Sequence, residues 1–206
     1  MNKKKGSRLF DMIAPIYGLF FNHQRHRYSS IIRQAAAKFD ITNFQTAIDV
    51  GCGTGAFCLV LHDQGVEVTG IDPAAKMLKI ASRKTRNKGI SFLQGNALEG
   101  LPFADNSFEI AVSSYVAHGL RSEERSRLYS EMGRVASKYV IFHDYNEKRA
   151  PLTTIIEWLE GGDYFHFIKH AEPEMRECLS NMQKCFSEVR VINVDKRASW
   201  YICRTR

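Results

Sequence analysis

Nowhere in these 206 residues does an apolar run approach the ~20 needed to cross a bilayer, so no membrane span is expected. Cysteine is scarce: Cys52, Cys58, Cys178, Cys185 and Cys203 form no C-x-x-C pair and leave one over. That excludes zinc-ligand spacing and disfavours a disulfide framework, so a reduced, cytoplasmic setting is expected. A cleavable leader is not expected either. Lys3-Lys4-Lys5 precedes an apolar stretch, but Asp11 and Pro15 interrupt it and no small-x-small site follows. The body of the chain carries no basic stripe. Net charge is +7, yet residues 1–46 hold eight basic against two acidic side chains (+6), residues 47–115 six against seven (−1), and residues 116–206 fifteen against thirteen (+2). A nucleic-acid partner would more often select cations throughout the domain, so none is expected. The N-terminal excess reads as a solvated tail, with weak contact to anionic surfaces as the alternative.

At 44% hydrophobic content the chain can build one substantial core. Its centre is Ala47-Ile48-Asp49-Val50-Gly51-Cys52-Gly53-Thr54-Gly55-Ala56-Phe57. Four strand-forming residues run into three alternate glycines, and helical spacing follows to Gln64. Strand, glycine turn and helix in that order bring backbone N–H groups and a helix N-terminus close to a ligand. Gly51-x-Gly53-x-x-Ala56, with Asp72 about twenty residues on, satisfies a loose dinucleotide fingerprint. Asp49 favours another reading. A carboxylate two residues before the first glycine suits an ammonium-bearing ligand better than a pyrophosphate. A turn with no ligand is the bland alternative.

Asp49-Val-Gly51-Cys-Gly53-Thr-Gly55, then Gly70-Ile-Asp72-Pro73, then Gly95-Asn96-Ala97 and Leu101-Pro102-Phe103-Ala-Asp105-Asn106-Ser107-Phe108-Glu109, resemble the signature segments of class I S-adenosylmethionine-dependent methyltransferases. The likeness covers residues 45–145. It implies an α/β, Rossmann-like, doubly wound sheet of seven strands, helices on both faces, and an antiparallel terminal hairpin strand. It also implies S-adenosyl-L-methionine as cofactor, with Asp49, Gly51, Cys52, Gly53, Gly55, Asp72, Pro73, Met77, Asn96, Ala97 and Ser113 around it. Asp72 would accept from the ribose hydroxyls, or else simply cap the helix starting near Pro73. Asn96 stands where the family usually has Asp and can accept through its carbonyl oxygen.

The opening run Phe10 to Tyr17 is similar to the F-D-x-I-A-x-x-Y segment of quinone-biosynthesis C-methyltransferases, departing at Gly18, where those enzymes usually carry Asp. The resemblance makes Tyr17 a candidate pocket wall. Spacing alone makes Phe10, Ile13, Tyr17 and Phe21 one packed helical face, and both can hold. A helix is expected over 28–39, with Ile31, Ile32, Ala35 and Ala36 inward. Strands are expected at 66–71, 90–94, 108–113 and 139–143, with helices at 76–88 and from Ser122 to Arg134. A final helix over 173–186 precedes strands at 189–194 and 198–203, turning across Asp195-Lys196-Arg197. One domain spans 1–206: an N-terminal helical cap segment (1–44), a cofactor-binding core (45–145), an inserted cap (146–171) carrying Trp158, Tyr164, Phe165 and Phe167, and the last helix and hairpin (172–206).

Beyond the fourth strand stands Ser113-Ser114-Tyr115-Val116, not the D/N-P-P-Y/F of amino methyltransferases, and no Pro-Cys nucleophile occurs there. Base methylation therefore loses support, and a small, partly aromatic or apolar acceptor is expected. His118 has a suitable ordinary pKa for a general base, though it could equally be packed beside the cofactor. His143 is a second candidate. His143 and Asp144 could pair, but neighbours on a strand point to opposite faces. In-line methyl transfer by proximity is the expected reaction. A nicotinamide oxidoreductase and a non-catalytic cofactor-binding scaffold are the other classes weighed.

Overall fold

The computed structural model describes residues 3–146, 171–196 and 198–206. The expected cap at 146–171 therefore lies almost wholly outside the described residues. The strands are β1 (Thr46–Val50), β2 (Glu67–Asp72), β3 (Ser91–Gln94), β4 (Phe108–Ser114), β5 (Ala136–Tyr145), β6 (Glu188–Asn193) and β7 (Ala198–Arg204). Among the described residues the helices are α1 (Lys3–Leu19), α2 (Phe21–Ala35), α3 (Ala56–Asp63), α4 (Ala75–Lys84), α5 (Ser122–Val135) and α6 (Ala171–Cys185). Sheet order is β3-β2-β1-β4-β5-β7-β6. The first five strands are parallel, and β7 runs antiparallel to both neighbours. The order reverses between β1 and β4, which opens a crevice at the C-terminal ends of those strands.

Alternation along the strands makes two cores. Ile110, Val112, Ile141 and Trp200 face α2 and α3, where they meet Ile31, Ile32, Phe57 and Leu61. Ala111, Val140, Phe142 and Tyr201 face α5 and α6 and pack on Leu128, Tyr129, Met132 and Met182. Helix α3 lies between the sheet and α2, and its first six residues are all buried, so its sequence shows little amphipathic contrast. Helix α5 carries Glu123 and Glu124 in its first turn and Arg134 in its last, matching the helix dipole.

Several expected boundaries move. Helix α4 stops at Lys84, four residues early, because Asn87 and Gly89 adopt left-handed backbone. Helix α2 begins at Phe21 and ends at Ala35, leaving Ala36 exposed rather than inward. The continuous face from Phe10 to Phe21 breaks at Phe20. Phe10, Ile13 and Tyr17 pack with Ala14 against Ala74, Met77 and Ile80, whereas Phe21 joins Ala56 and Leu59. A side chain at Gly18 would press on Ile80 at 3.3 Å, a local reason for glycine there.

Candidate functional site

The glycine turn is pinned to the end of β2. The N–H groups of Gly51 and Cys52 both donate to the Ile71 carbonyl, at 2.8 and 3.1 Å. Gly53 N–H donates to Asp72 Oδ2 at 2.9 Å, and Ala74 N–H to Asp72 Oδ1 at 2.8 Å. Asp72 thus ties the turn to the start of α4, so the expected capping role is present. Each carboxylate oxygen retains a second lone-pair direction for a ligand hydroxyl. Thr54 Oγ1 donates to Gln24 Oε1 at 2.9 Å, joining the turn to α2.

Two of the three glycines serve different ends. A Cβ at Gly53 (φ +51) would meet no atom within 4 Å, so its open side forms a cradle next to Asp72. A Cβ at Gly55 (φ +76) would lie 2.9 Å from Ala81 Cβ and 3.0 Å from Phe92 Cζ. Gly55 therefore lets α3 start against α4 and β3, while Gly53 keeps space free for a ligand.

Asp49 is buried behind this turn. Its Oδ2 accepts from the Cys58 thiol at 3.2 Å, and Oδ1 has no hydrogen-bond partner among the described residues. Burial, reinforced by the Asp72 charge, pushes its carboxyl up to about 7 despite the opposing Cys58 bond. Burial likewise raises Asp72 to about 6 against two backbone donors and with a small push from Asp11. Two raised carboxyls beside an open cradle are a site waiting for cationic and hydroxyl groups. The ammonium and ribose of S-adenosylmethionine fit these residues.

Both shifts give the protein a pH signature. In the fold these groups hold protons that the unfolded chain loses above about 4, so their stabilising contribution is complete below that pH. It fades as pH rises through about 6 to about 7. In ligand-free protein, Asp49→Asn is expected to leave the midpoint nearly unchanged at pH ~4 and to raise it near pH ~8 relative to wild type. Melting curves at both values check this; a difference independent of pH would contradict the buried titration.

The other candidates of the donor set are placed as follows. Asn96 Oδ1 accepts Leu98 N–H at 3.0 Å, capping the 3-10 turn Ala97–Glu99, and Ala97 is buried beside Ile71 and Leu101. Ser113 Oγ donates to the Val50 carbonyl at 2.8 Å, bridging β4 to β1. The Pro73 carbonyl accepts from Gln94 Nε2 at 3.1 Å. Met77 and Tyr17 meet in the α1–α4 contact. The Cys52 side chain is buried under the turn against Gly70 rather than directed to the crevice.

At the ends of β4 and β5 a second set of groups gathers. His143 and Asp144 do not pair, in keeping with their opposite directions on the strand. Asp144 shares the Phe142 face and meets His118 instead, with His118 Nδ1 2.7 Å from Asp144 Oδ1 and His118 N–H 3.2 Å from Oδ2. Both side chains are buried. Burial works to raise the Asp144 carboxyl, but the facing His118 and backbone donors outweigh it, so its pKa is lowered. An ionised Asp144 favours the proton on Nδ1, which leaves Nε2 on the far side of the ring from Asp144. His143 faces the opposite side, against Tyr28 and Tyr115, with no partner for either ring nitrogen among the described residues. Burial pushes it down to about 4, which makes it a weak base at neutral pH. Tyr115 adopts left-handed backbone (φ 56), and its hydroxyl accepts from Arg27 at 2.9 Å. Its ring lies 5.0 Å from Tyr145, which in turn lies 4.7 Å from His118. Sequence reasoning missed the partnership of Asp144 with His118. Strand parity separates Asp144 from His143, but nothing local points across 26 residues to His118.

Comparison with known proteins places this geometry in context. Residues 48–142 match the family described as methyltransferase domain. A demethylmenaquinone methyltransferase of Paenarthrobacter aurescens (strain TC1) is 35% identical over 132 residues, covering 62% of this chain and 49% of that protein. The chain thus spans about half the length of that curated relative. An uncharacterized methyltransferase of Staphylococcus carnosus (strain TM300) is 23% identical over 193 residues, covering 91% of this chain and 90% of that protein. Among solved structures, an S-adenosyl-L-methionine-dependent methyltransferase of Methanococcus maripaludis superposes with a TM-score of 0.71 at 18% identity, covering 95% and 93% of the two chains. That last likeness is one of fold.

Proposed function

We propose, for a chain that belongs to the class I S-adenosylmethionine-dependent methyltransferases, that it methylates a small, quinone-type aromatic acceptor bearing an ionisable hydroxyl. The observation that carries the donor half is the open side of Gly53 beside buried Asp72, with buried Asp49 behind the same turn. The acceptor half is supported by the aromatic wall of Tyr115, Tyr145 and His118, and by the curated relative's action on demethylmenaquinone that its name states. We place the enzyme in the cytoplasm, on its free cysteines.

When bound, S-adenosylmethionine supplies a methyl group on a sulfonium that any well-placed nucleophile can accept. Asp49 would hold the ammonium, Asp72 the ribose hydroxyls, Gly51, Gly53 and Gly55 the backbone approach, and Asn96 and Ala97 the adenine edge. Tyr17, Met77, Pro73 and Ser113 would complete the lining, with the Cys52 side chain packed beneath the turn. His118, oriented by Asp144, would take the acceptor's hydroxyl proton on Nε2, leaving electron density on the acceptor for an in-line attack. His143, held neutral, contributes a packed ring rather than a base. Proximity then supplies several kcal/mol toward the barrier.

An ionic bond to a buried carboxylate contributes about 1.5–3 kcal/mol. Asp49→Asn is therefore expected to weaken S-adenosylhomocysteine binding about 10- to 150-fold, as titration calorimetry would read. Unchanged affinity would remove Asp49 from the ammonium site. The reaction itself is tested by incubating the protein with S-adenosylmethionine and a panel of hydroxylated naphthoquinones, phenols and primary amines. Methylated naphthoquinol or phenol, identified by mass, is the expected product; methylation confined to the amines would contradict the acceptor assignment.

A further inference from the structure

Helix α1 carries two apolar stripes, and only one has a partner. Phe10, Ile13, Ala14 and Tyr17 pack on α4. Met12, Ile16 and Leu19, spaced four and three residues apart, form a second line on the same helix, continued by Phe20 at the corner into α2. They are 67%, 54%, 83% and 57% exposed. A helix that buries one face in its own domain and shows four large apolar side chains on another is built to meet an apolar phase.

The charges around this stripe select the phase. Lys3, Lys4, Lys5 and Arg8 fall in the first two turns of α1. On α4, the helix beneath it, Lys76, Lys79 and Arg83 are exposed and form no ion pair with the described residues. Exposed cations on the helix packed against the one that carries an exposed apolar stripe suit an anionic lipid surface. Position adds a purpose. Asp11 accepts from the Lys76 N–H at 2.7 Å, which sets α1 over the start of α4, immediately after Asp72 and Pro73. The helix that carries the stripe is thus held at the start of α4, next to Asp72 and Pro73. No helix among the described residues is long and apolar enough to cross a membrane, so contact through α1 would be peripheral.

We propose that α1 docks this protein on an anionic bilayer, with Met12, Ile16, Leu19 and Phe20 in the interface, so that a lipophilic acceptor reaches the crevice from the lipid. The docking itself stands on the exposed stripe and the cations; the purpose rests on the quinone-type acceptor reading. Flotation with phosphatidylglycerol–phosphatidylcholine vesicles, and with phosphatidylcholine alone, tests it. The wild-type chain is expected to bind the anionic vesicles at least tenfold better. Met12→Gln, Ile16→Gln, Leu19→Gln and Phe20→Gln combined are expected to lower that binding at least tenfold, and Lys76→Glu with Lys79→Glu and Arg83→Glu to remove the lipid preference. These positions are exposed, so the S-adenosylhomocysteine thermal shift should survive in both variants, which separates failure of docking from failure of the donor site. Equal binding by wild type and the glutamine variant, or no binding to anionic vesicles, would overturn the proposal. So would a wild-type dimer in light scattering that the glutamine variant converts to monomer, since a second copy would then cover the stripe.

Discussion

Replacing Asp144 by Asn is expected to lower turnover by about 10²- to 10⁴-fold, the usual contribution of a positioned general base, with little change in S-adenosylhomocysteine affinity. Asp144 receives the His118 ring at 2.7 Å and the His118 and Tyr145 N–H groups, so it fixes both ring orientation and tautomer. Asn preserves an acceptor and the shape but removes the charge that stabilises a protonated ring. His118→Ala should cost as much, and the double variant little more than His118→Ala alone, because the two act as one unit. A pH–rate profile adds a readout that simple loosening of the fold would not move. The wild-type acid limb should shift in Asp144→Asn and vanish in His118→Ala. Turnover within threefold of wild type in both would remove the pair from the mechanism.

Gly55→Ala should lower the thermal midpoint by about 4–20 °C. The left-handed backbone (φ +76) adds about 1–2 kcal/mol of strain for any side chain. Contact of the new Cβ with Ala81 and Phe92 adds about 1–3 kcal/mol, because backbone and ring must move in a packed core. At roughly 2–4 °C per kcal/mol for a chain of this size, the sum gives that range. Gly53→Ala shares the backbone strain but meets open space. It should melt only about 2–8 °C below wild type while losing S-adenosylhomocysteine affinity more than tenfold. Equal melting losses and equal affinities in the two variants would contradict the division between a packing glycine and a ligand glycine.

Much of this was legible before any coordinates. The sheet and its crevice follow from Asp49 to Gly55 and Gly70 to Pro73, where strand pattern, turn chemistry and helical spacing agree. The terminal antiparallel strand followed from two short apolar runs around Asp195, close enough for a hairpin. Helix ends were less legible. The break at Phe20 and the stop at Lys84 depend on which neighbour each side chain meets, and α1 and α2 take different ones. The His118–Asp144 pair was hidden for the same reason. Parity on β5 assigns Asp144 a face, but only the path of the chain from Ser114 to Gly119 brings His118 to it. The roles of buried Ser113 and half-buried Asn96, bonded to Val50 and Leu98, were equally non-local or cap-specific.

The donor site is tested most directly by thermal unfolding with S-adenosylmethionine, S-adenosylhomocysteine and NADH in parallel. A ligand at a hundred times its Kd stabilises by about 2.7 kcal/mol, or roughly 5–10 °C here. Both adenosyl ligands should produce that shift and NADH none. A shift with NADH alone would contradict the account.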